Sequence, residues 1–486
     1  MVTVPLNDNI DAWRSASAIE EWWATPSQRG ITRPYSAAEV AQLRDIFPEG
    51  EGASAMGLLL RETLTRHARD QTVNLTISAG DGVTAQVLAE SGLDVIYASG
   101  GVSAMSDVTT KDPSTDLSDY TYDTVPSKVA TLYRSQLVHA RMAQLSGKPY
   151  RIVPIIADAD SGFGFQSSVM KVVKLFVQAG VAGFHIDDLL SGCKRYDGKD
   201  GVGYVIVPVS EAVRRHIAAK LQLDIMGAEV VSIHRTDAET ATHITSTVDP
   251  RDRPFILGAS IAQPHDAASA PDYKTWIQAA DLRTLDEAFA ASHPALFDEF
   301  TAQTKGKNTS EALLVAAKLA PDFYWSADAA RTVQGWFPFR GGVEAAIARA
   351  IVCAPYTDAS WACQTKPYNP PAVEAFAKRV HAAVPGRWLA YNWTVLPAEF
   401  AKSKEVAEAP EKLAKLGYVY QWMPVGGMTA VGIGAKSSAQ AIKEGGVSGF
   451  LQNAERVQGK QRDLLYWLLD LAKLSDQAQE IIGTGL

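Results

Sequence analysis

The chain has 486 residues, 47% of them apolar and 21% charged, an ordinary globular balance that excludes disorder, collagen and coiled coil as the main architecture. The 46 basic and 54 acidic side chains give a formal net charge of −8 with no basic stripe, which excludes a nucleic-acid partner. Three cysteines without a CxxC pair exclude a disulfide framework or zinc cage and suit a reducing, cytoplasmic setting. No run reaches the ~18 apolar residues of a membrane span, and the acid-containing start lacks the apolar core of a secretory signal.

Residues 1–65 read as helices, with Trp13, Trp22 and Trp23 set amid charge and a capping box at Ser36-Ala-Ala-Glu39. Over residues 66–446 short apolar runs alternate with helical stretches. The runs are NLTIS, DVIYASGG, PYRIVPIIADAD, GFHIDDL, EVVSIHRTD, SWACQTK, RWLAYNWTV and VYQWMPVGG. Eight such units predict a (β/α)8 barrel of the TIM type. Residues 249–340 break the rhythm and predict an insertion before the sixth strand, opening on a loop-like DPRDRPFILG and continuing as helices. The segment 447–486 predicts an amphipathic helix with an apolar stripe of Leu464, Leu465, Trp467, Leu468 and Leu471, docked on its own core or exchanged with another subunit.

In such a barrel the chemistry sits at the C-terminal ends of the strands. Here those ends are polar: Ser99-Gly100-Gly101, Asp158-Ala-Asp160, His185-Ile-Asp187-Asp188, His234-Arg235-Thr236-Asp237 and Asn392. Asp158, Asp160 and Asp187 follow separate strands, and Asp116 lies in the polar loop STDLSDYTYD. Hard oxygen donors converging on one rim suit Mg²⁺ or Mn²⁺. Arg235 is placed to clamp a carboxylate with two parallel hydrogen bonds. Cys193 sits on a Gly-rich loop, SGCKRYDGKDGVG, where Lys194 and Arg195 are expected to favour its thiolate. That loop is expected to close over substrate as a lid. Cys353 and Cys363 lie in apolar surroundings and read as core.

Across most of its length the chain resembles isocitrate lyase, of the isocitrate lyase/phosphoenolpyruvate mutase superfamily. The stretches that carry the resemblance are GITRPYSAAEV, DVIYASGG, IIADADSGFG, AGVAGFHIDDL, HRTDAETATHITSTVDPRDRPFILG and LAYNW. It implies a barrel in a homotetramer with exchanged C-terminal helices, and a Mg²⁺-dependent reverse aldol cleavage of a small carboxylic acid. It implies Asp158 as metal ligand with Asp116, Asp160 and Asp187 around it. It also implies Tyr97, Ser99, Gly100, His185 and Arg235 as holders of the 2-oxo acid, which is glyoxylate in isocitrate lyase.

The departures cluster. The family's Lys-Lys-Cys-Gly-His loop reads Ser191-Gly192-Cys193-Lys194-Arg195, and its Tyr-Asn-Cys-Ser-Pro-Ser reads Tyr391-Asn392-Trp393-Thr394-Val395-Leu396. Its Thr-Leu-Ala-Gly reads Pro424-Val425-Gly426-Gly427, an acidic residue becomes Cys363 or Gln364, and a Trp becomes Gly101. The groups that would grip succinate are thus replaced by Pro, Val, Leu and Trp. A buried carboxylate against an apolar wall costs several kcal/mol. The sequence therefore predicts a Mg²⁺-dependent carbon–carbon lyase for a 2-hydroxy acid other than isocitrate, releasing a 2-oxo acid such as glyoxylate or pyruvate or running in the condensing direction, with Cys193, Tyr97, His185 and Arg235 catalytic. Ser99, Gly100, Gly101, Arg235 and Asn392 are expected to bind substrate. The alternatives are another chemistry of the superfamily, phosphonate mutase or hydrolase or oxaloacetate-type hydrolase, and a silent metabolite-binding paralogue.

Overall fold

Eight short buried strands organise the molecule: β1 (Leu75–Ile77), β2 (Ile96–Ala98), β3 (Ile155–Asp158), β4 (Gly183–Ile186), β5 (Val231–Thr236), β6 (Ala359–Ala362), β7 (Trp388–Asn392) and β8 (Tyr418–Met423). The structure is a computed structural model. It describes residues 13–195, 202–261, 278–363, 368–393 and 402–458, apart from 109, 111, 115, 146 and 148, together with 475–476 and 479–482. The strands run in the order β1-β8-β7-β6-β5-β4-β3-β2, each pairing parallel to its neighbour. A bridge between Ser78 and Tyr97, with Ala79 N–H donating to Tyr97 O at 3.0 Å, closes the ring between β1 and β2. This is the (β/α)8 barrel that the alternating runs predict. β3 and β4 are buried at every position because helices cover the outer face and the barrel fills the inner one, so their sequences are continuous rather than alternating.

The barrel interior is packed with rings. Tyr97, His185, Trp361 and Trp422 lie with centroids 4.6–5.9 Å apart for the pairs His185–Trp361, Trp361–Trp422, Tyr97–Trp422 and Tyr97–His185. Helix Glu51–Asp70 plugs the N-terminal mouth. Its Leu60 and Leu64 pack on Val95, Ala182, Val231, Ala359 and Val419, at or near the starts of five strands. Gly57 permits that approach, since a Cβ there would stand 2.1 Å from the Glu229 carbonyl oxygen. Helices Ala16–Trp23 and Ala37–Leu43 are strapped alongside. Trp22 Nε1 and Gln28 Nε2 each donate to Glu229 at 2.6 Å, and Arg33 Nε to Asp224 at 2.7 Å. The capping box at Ser36 and Glu39 forms as read.

The excursion between β5 and β6 has its own core of Phe289, Phe300, Ala312, Ala316 and Trp325. It begins earlier than residue 249. Strand Ala241–Ile244 pairs antiparallel with Phe337–Pro338 and parallel with Tyr204–Ile206 from the preceding unit. The DPRDRPFILG segment is more ordered than a loop, holding a 3-10 turn at Arg253–Phe255 and strand Leu257–Ala259, which pairs with Leu282–Thr284. Helices Leu285–Ser292, Phe297–Thr304 and Thr309–Leu319 follow as expected. Helix Gly426–Gln458 breaks at Gly446, where φ is +57°. It leaves Val431, Ile433, Ile442, Val447 and Leu451 exposed. The Leu464–Leu471 stripe lies outside the described residues. Among the described residues no helix is long and apolar enough to cross a membrane.

Candidate active site

The C-terminal rim of the barrel gathers carboxylates from three successive units. Asp158 ends β3, and Asp160 N–H donates to its Oδ1 at 2.8 Å. Asp160 adopts φ +50° and opens a tight turn that continues through Gly162 and Phe163, also with positive φ. A non-glycine residue in that region persists only where its surroundings hold it. Here Ser118 Oγ donates to Asp160 Oδ1, Tyr120 Oη donates to Oδ2 at 3.0 Å, and Ser161 N–H donates to Oδ1 at 2.9 Å. Asp187 follows β4 and accepts from Leu189 N–H at 3.2 Å through Oδ1. Its Oδ2 is buried with no hydrogen-bond partner and lies 4.0 Å from Arg235 Nη1. Asp116 reaches in from the loop after β2 and meets Lys194 Nζ at 2.9 Å.

Gly100 is required beneath this group. A Cβ there would sit 2.4 Å from Tyr120 Oη and 2.7 Å from Asp158 Oδ2. Ser99 caps the short helix Gly100–Ser106, accepting from Val102 N–H at 3.3 Å. At Gly101 a Cβ would meet Asp116 at an ordinary 3.4 Å, so the position is small by sequence and not by steric need.

Tyr97 and His185 form the floor. Tyr97 Oη and His185 Nε2 share a hydrogen bond of 2.9 Å, and Tyr97 Oη lies 3.4 Å from Asp158 Oδ2. His185 Nδ1 is 3.6 Å from Asp158 Oδ1. Burial, reinforced by Arg235 and Lys194, drives the His185 pKa well below its ordinary value, so the ring is neutral. Burial and the charge of Asp160 push the Asp187 carboxyl well up. Burial also works against Asp160, but Lys194 and Ser118 outweigh it and hold that carboxyl below its usual range. Lys194 stays charged: burial disfavours the ammonium, yet Asp116 and Asp160 raise its pKa well above the ordinary value.

Arg235 lies on β5, held by Asp237 through two hydrogen bonds of 2.9 and 3.0 Å and stacked 4.5 Å over Trp361. Asn392 ends β7. On that strand Ala390 shares the interior cluster, whereas Leu389, Tyr391 and Trp393 pack in the helix layer. By strand alternation Asn392 therefore faces inward.

The structure thus brings together Tyr97, Ser99, Gly100, Asp116, Asp158, Asp160, His185, Asp187 and Arg235. Two expectations need correction. Trp393 does not wall the pocket: it packs on Tyr368 and Tyr391 and donates Nε1 to Gln421 at 3.1 Å, because its parity on β7 turns it outward. The Cys193 thiolate is not favoured by its neighbours. Burial pushes the Cys193 thiol up against a smaller opposing effect of Arg195, while Lys194 has turned away to Asp116. Residues 196–201, Gln364 and residues 394–401 lie outside the described residues.

Sequence reasoning missed Lys194 as a site group, with Ser118, Tyr120, Asp237, Trp361 and Cys363. Cys363 is buried, as expected of core, but it belongs to the interior cluster, and burial pushes its thiol well up. Ser118 and Tyr120 were in view in the STDLSDYTYD loop, and Asp237 lay two residues beyond Arg235. No local signal distinguishes a lysine that turns inward from one that faces water.

The donor set fits a hard divalent cation. Asp116, Asp158, Asp160 and Asp187 are carboxylate oxygens on one rim, and the orphaned, buried Asp187 Oδ2 needs a positive partner. Five carboxyl groups, with Asp237, face two cations, Lys194 and Arg235, an excess of negative charge that a divalent ion would offset.

The profile of the isocitrate lyase family matches residues 15–464. An isocitrate lyase of Oryza sativa subsp. japonica is 35% identical, over 91% of this chain and 84% of its own length. A mitochondrial 2-methylisocitrate lyase of Schizosaccharomyces pombe is 33% identical, over 92% of each. A crystal structure of 2,3-dimethylmalate lyase covers 88% of this chain and 99% of its own at 15% identity, with a TM-score of 0.48. From the family match over residues 15–464 and from the isocitrate lyase and 2-methylisocitrate lyase relatives, the chain belongs to the isocitrate lyase family.

Proposed function

We propose that this protein is a Mg²⁺- or Mn²⁺-dependent carbon–carbon lyase that splits a 2-hydroxy acid other than isocitrate and releases a 2-oxo acid such as glyoxylate or pyruvate. The observation that carries the reading is the juxtaposition of the carboxylate nest with the Arg235 guanidinium, whose Nη1 lies 4.0 Å from the orphaned Asp187 Oδ2. Asp158, with Asp116, Asp160 and Asp187, would hold the ion, which when bound polarises the 2-oxo oxygen and offsets charge building on it.

The chain's own groups do the rest. Arg235, fixed by Asp237, orients the carboxylate of the 2-oxo acid. Neutral His185 and Tyr97 offer a hydrogen-bonded pair, rather than a cation, beside Asp158. Cleavage leaves a carbanion on the second product, which needs a proton. A Cys193 thiol that burial keeps protonated starts in the right state to supply it. Pro424, half-buried just beyond β8, and the Val395 and Leu396 of the sequence supply no donors for a second buried carboxylate. That supports a second product less anionic than succinate. The exposed apolar residues along helix Gly426–Gln458 support assembly as a homotetramer with exchanged C-terminal helices.

The test is turnover against a panel of 2-hydroxy acids, isocitrate and 2-methylisocitrate included, with the released 2-oxo acid trapped and quantified with and without Mg²⁺. Cleavage of another member of the panel only when metal is present is expected. Isocitrate turnover at an ordinary ~1–1000 per second would sink the substrate assignment, and undiminished activity in excess chelator would sink the metal.

A further inference from the structure

We infer that Lys194 is a tethered counter-ion of the carboxylate nest, which a divalent cation must displace on entering. The inference rests on the metal-dependent reading above and concerns what the metal competes with. Lys194 Nζ lies 2.9 Å from Asp116 Oδ2 and 3.8 Å from Asp160 Oδ2, with its side chain 1% exposed. The two carboxylates come from different units, the loop after β2 and the turn after β3. The ammonium therefore spans part of the oxygen set that would ligate the ion. Lysine presents a compact point charge with three donors, and it is the one ionised side chain of the loop that the described residues place inside the nest. Arg195, its neighbour, is only half-buried.

An ammonium and a divalent cation on the same carboxylates repel each other, and in a buried site that repulsion is poorly screened. The more movable group yields: Lys194 reaches the nest on a long side chain from a loop, whereas Asp158 ends β3 and Asp160 is held just beyond it by Ser118, Tyr120 and the Ser161 N–H. The loop is rooted by the hydrogen bonds of Ser191 Oγ with Ser161 Oγ at 2.8 Å and of Cys193 N–H to Leu190 O at 3.1 Å. With the backbone rooted there, the lysine can give up its carboxylates by rotating its own four-carbon side chain, without unseating the strand ends. Before metal arrives, Lys194 offsets part of the negative charge of Asp116 and Asp160. The same contact lowers affinity for the metal, because each ion that binds must first break the pairs with Asp116 and Asp160.

The test is Mn²⁺ binding to the metal-free, full-length protein by titration calorimetry, for wild type, Lys194→Met and Lys194→Arg, with circular dichroism on each. Lys194→Met is expected to bind Mn²⁺ about tenfold tighter or more, and Lys194→Arg, which keeps the charge, within about threefold of wild type. Should Lys194→Met fail to fold, Lys194→Gln takes its place with the same expected gain. Equal or weaker Mn²⁺ binding by the folded neutral variant, with wild type binding, overturns this inference alone. Tightening of Lys194→Arg as large as that of the neutral variant also overturns it, since lost packing rather than lost charge would then be the cause. If neither wild type nor any variant binds Mn²⁺, the metal reading falls and this inference falls with it.

Discussion

Arg235 is gripped by Asp237 through two parallel hydrogen bonds, Nε to Oδ2 at 2.9 Å and Nη2 to Oδ1 at 3.0 Å. Two of its three nitrogens are thereby committed, and Nη1 is left facing Asp187. A planar fork can hold one carboxylate with one edge and still present a donor to another, which an ammonium cannot do with the same geometry. Arg235→Lys should weaken pyruvate or glyoxylate binding by about ten- to a hundredfold, from hydrogen bonds to charged groups worth about 1.5–3 kcal/mol. Calorimetry with the 2-oxo acid and saturating Mg²⁺ measures it. Unchanged affinity would remove Arg235 from the binding site.

Asp158→Asn should abolish Mn²⁺ binding while leaving the circular dichroism spectrum intact. The amide oxygen can still accept the Asp160 N–H hydrogen bond that shapes the turn, but it brings no charge to the ion. Calorimetric titration with Mn²⁺ checks it, and wild-type affinity in the variant would exclude Asp158 as a ligand.

Much of this arrangement is legible in the residues themselves. Parallel strands buried on both faces leave continuous apolar runs, so GFHIDDL and IIADAD stand out, and what breaks each run is the polar strand end. The illegible parts depend on contacts between distant residues. Strand Ala241–Ile244 exists because Phe337–Pro338 and Tyr204–Ile206 pair with it. Trp393 is a pocket residue or a packing residue according to one step of parity on β7. Lys194 and Arg195 are adjacent cations, and only the folded loop sends the first to Asp116 and leaves the second half-buried.

Leu60 makes a claim about stability that is independent of chemistry. It is fully buried in the plug at the N-terminal mouth, opposite the carboxylates. Leu60→Ala leaves a cavity among strand starts that cannot collapse, and should cost about 2–5 kcal/mol. The midpoint of urea unfolding should fall, whereas Mn²⁺ affinity should hold. Loss of metal binding in a folded variant would show that the plug and the site are coupled.

Asp358 ties the same end together. It receives Arg61 Nη1 at 2.9 Å and Ser232 N–H at 2.8 Å. Burial raises its pKa, but Arg61, Lys220 and the Ser232 N–H outweigh burial and hold it below the ordinary value. A carboxyl whose folded pKa lies below its unfolded one stabilises the fold above the unfolded value, about 3.9, and that stability is lost as pH falls through the folded value. Asp358→Asn should therefore be less stable than wild type at neutral pH, with the gap narrowing below about pH 4. Urea unfolding of both proteins from pH 7 down to pH 3 tests it. A gap that stays constant over that range would mean the hydrogen bonds, and not the charge, stabilise the fold.

Cys193 decides how the second product is released. The thiol sits on the loop root, half-buried, two residues from the Ser191–Ser161 contact and one from Lys194, and burial keeps it protonated. A protonated thiol near neutral pH can donate to a carbanion and be restored from solvent, whereas a serine hydroxyl is a far weaker acid. Proton transfer by a positioned group contributes about 10²–10⁴-fold. Cys193→Ser should thus lose at least about a hundredfold in kcat, and should bind Mn²⁺ and the 2-oxo acid as wild type does, because none of the groups holding them is touched. Under a purely structural role for Cys193, serine would lower the urea midpoint and leave kcat within a few fold. Turnover, Mn²⁺ titration and urea unfolding on the same variant separate the two: near wild-type kcat removes the thiol from the mechanism, and lost binding makes the loop a builder of the site rather than the source of the proton.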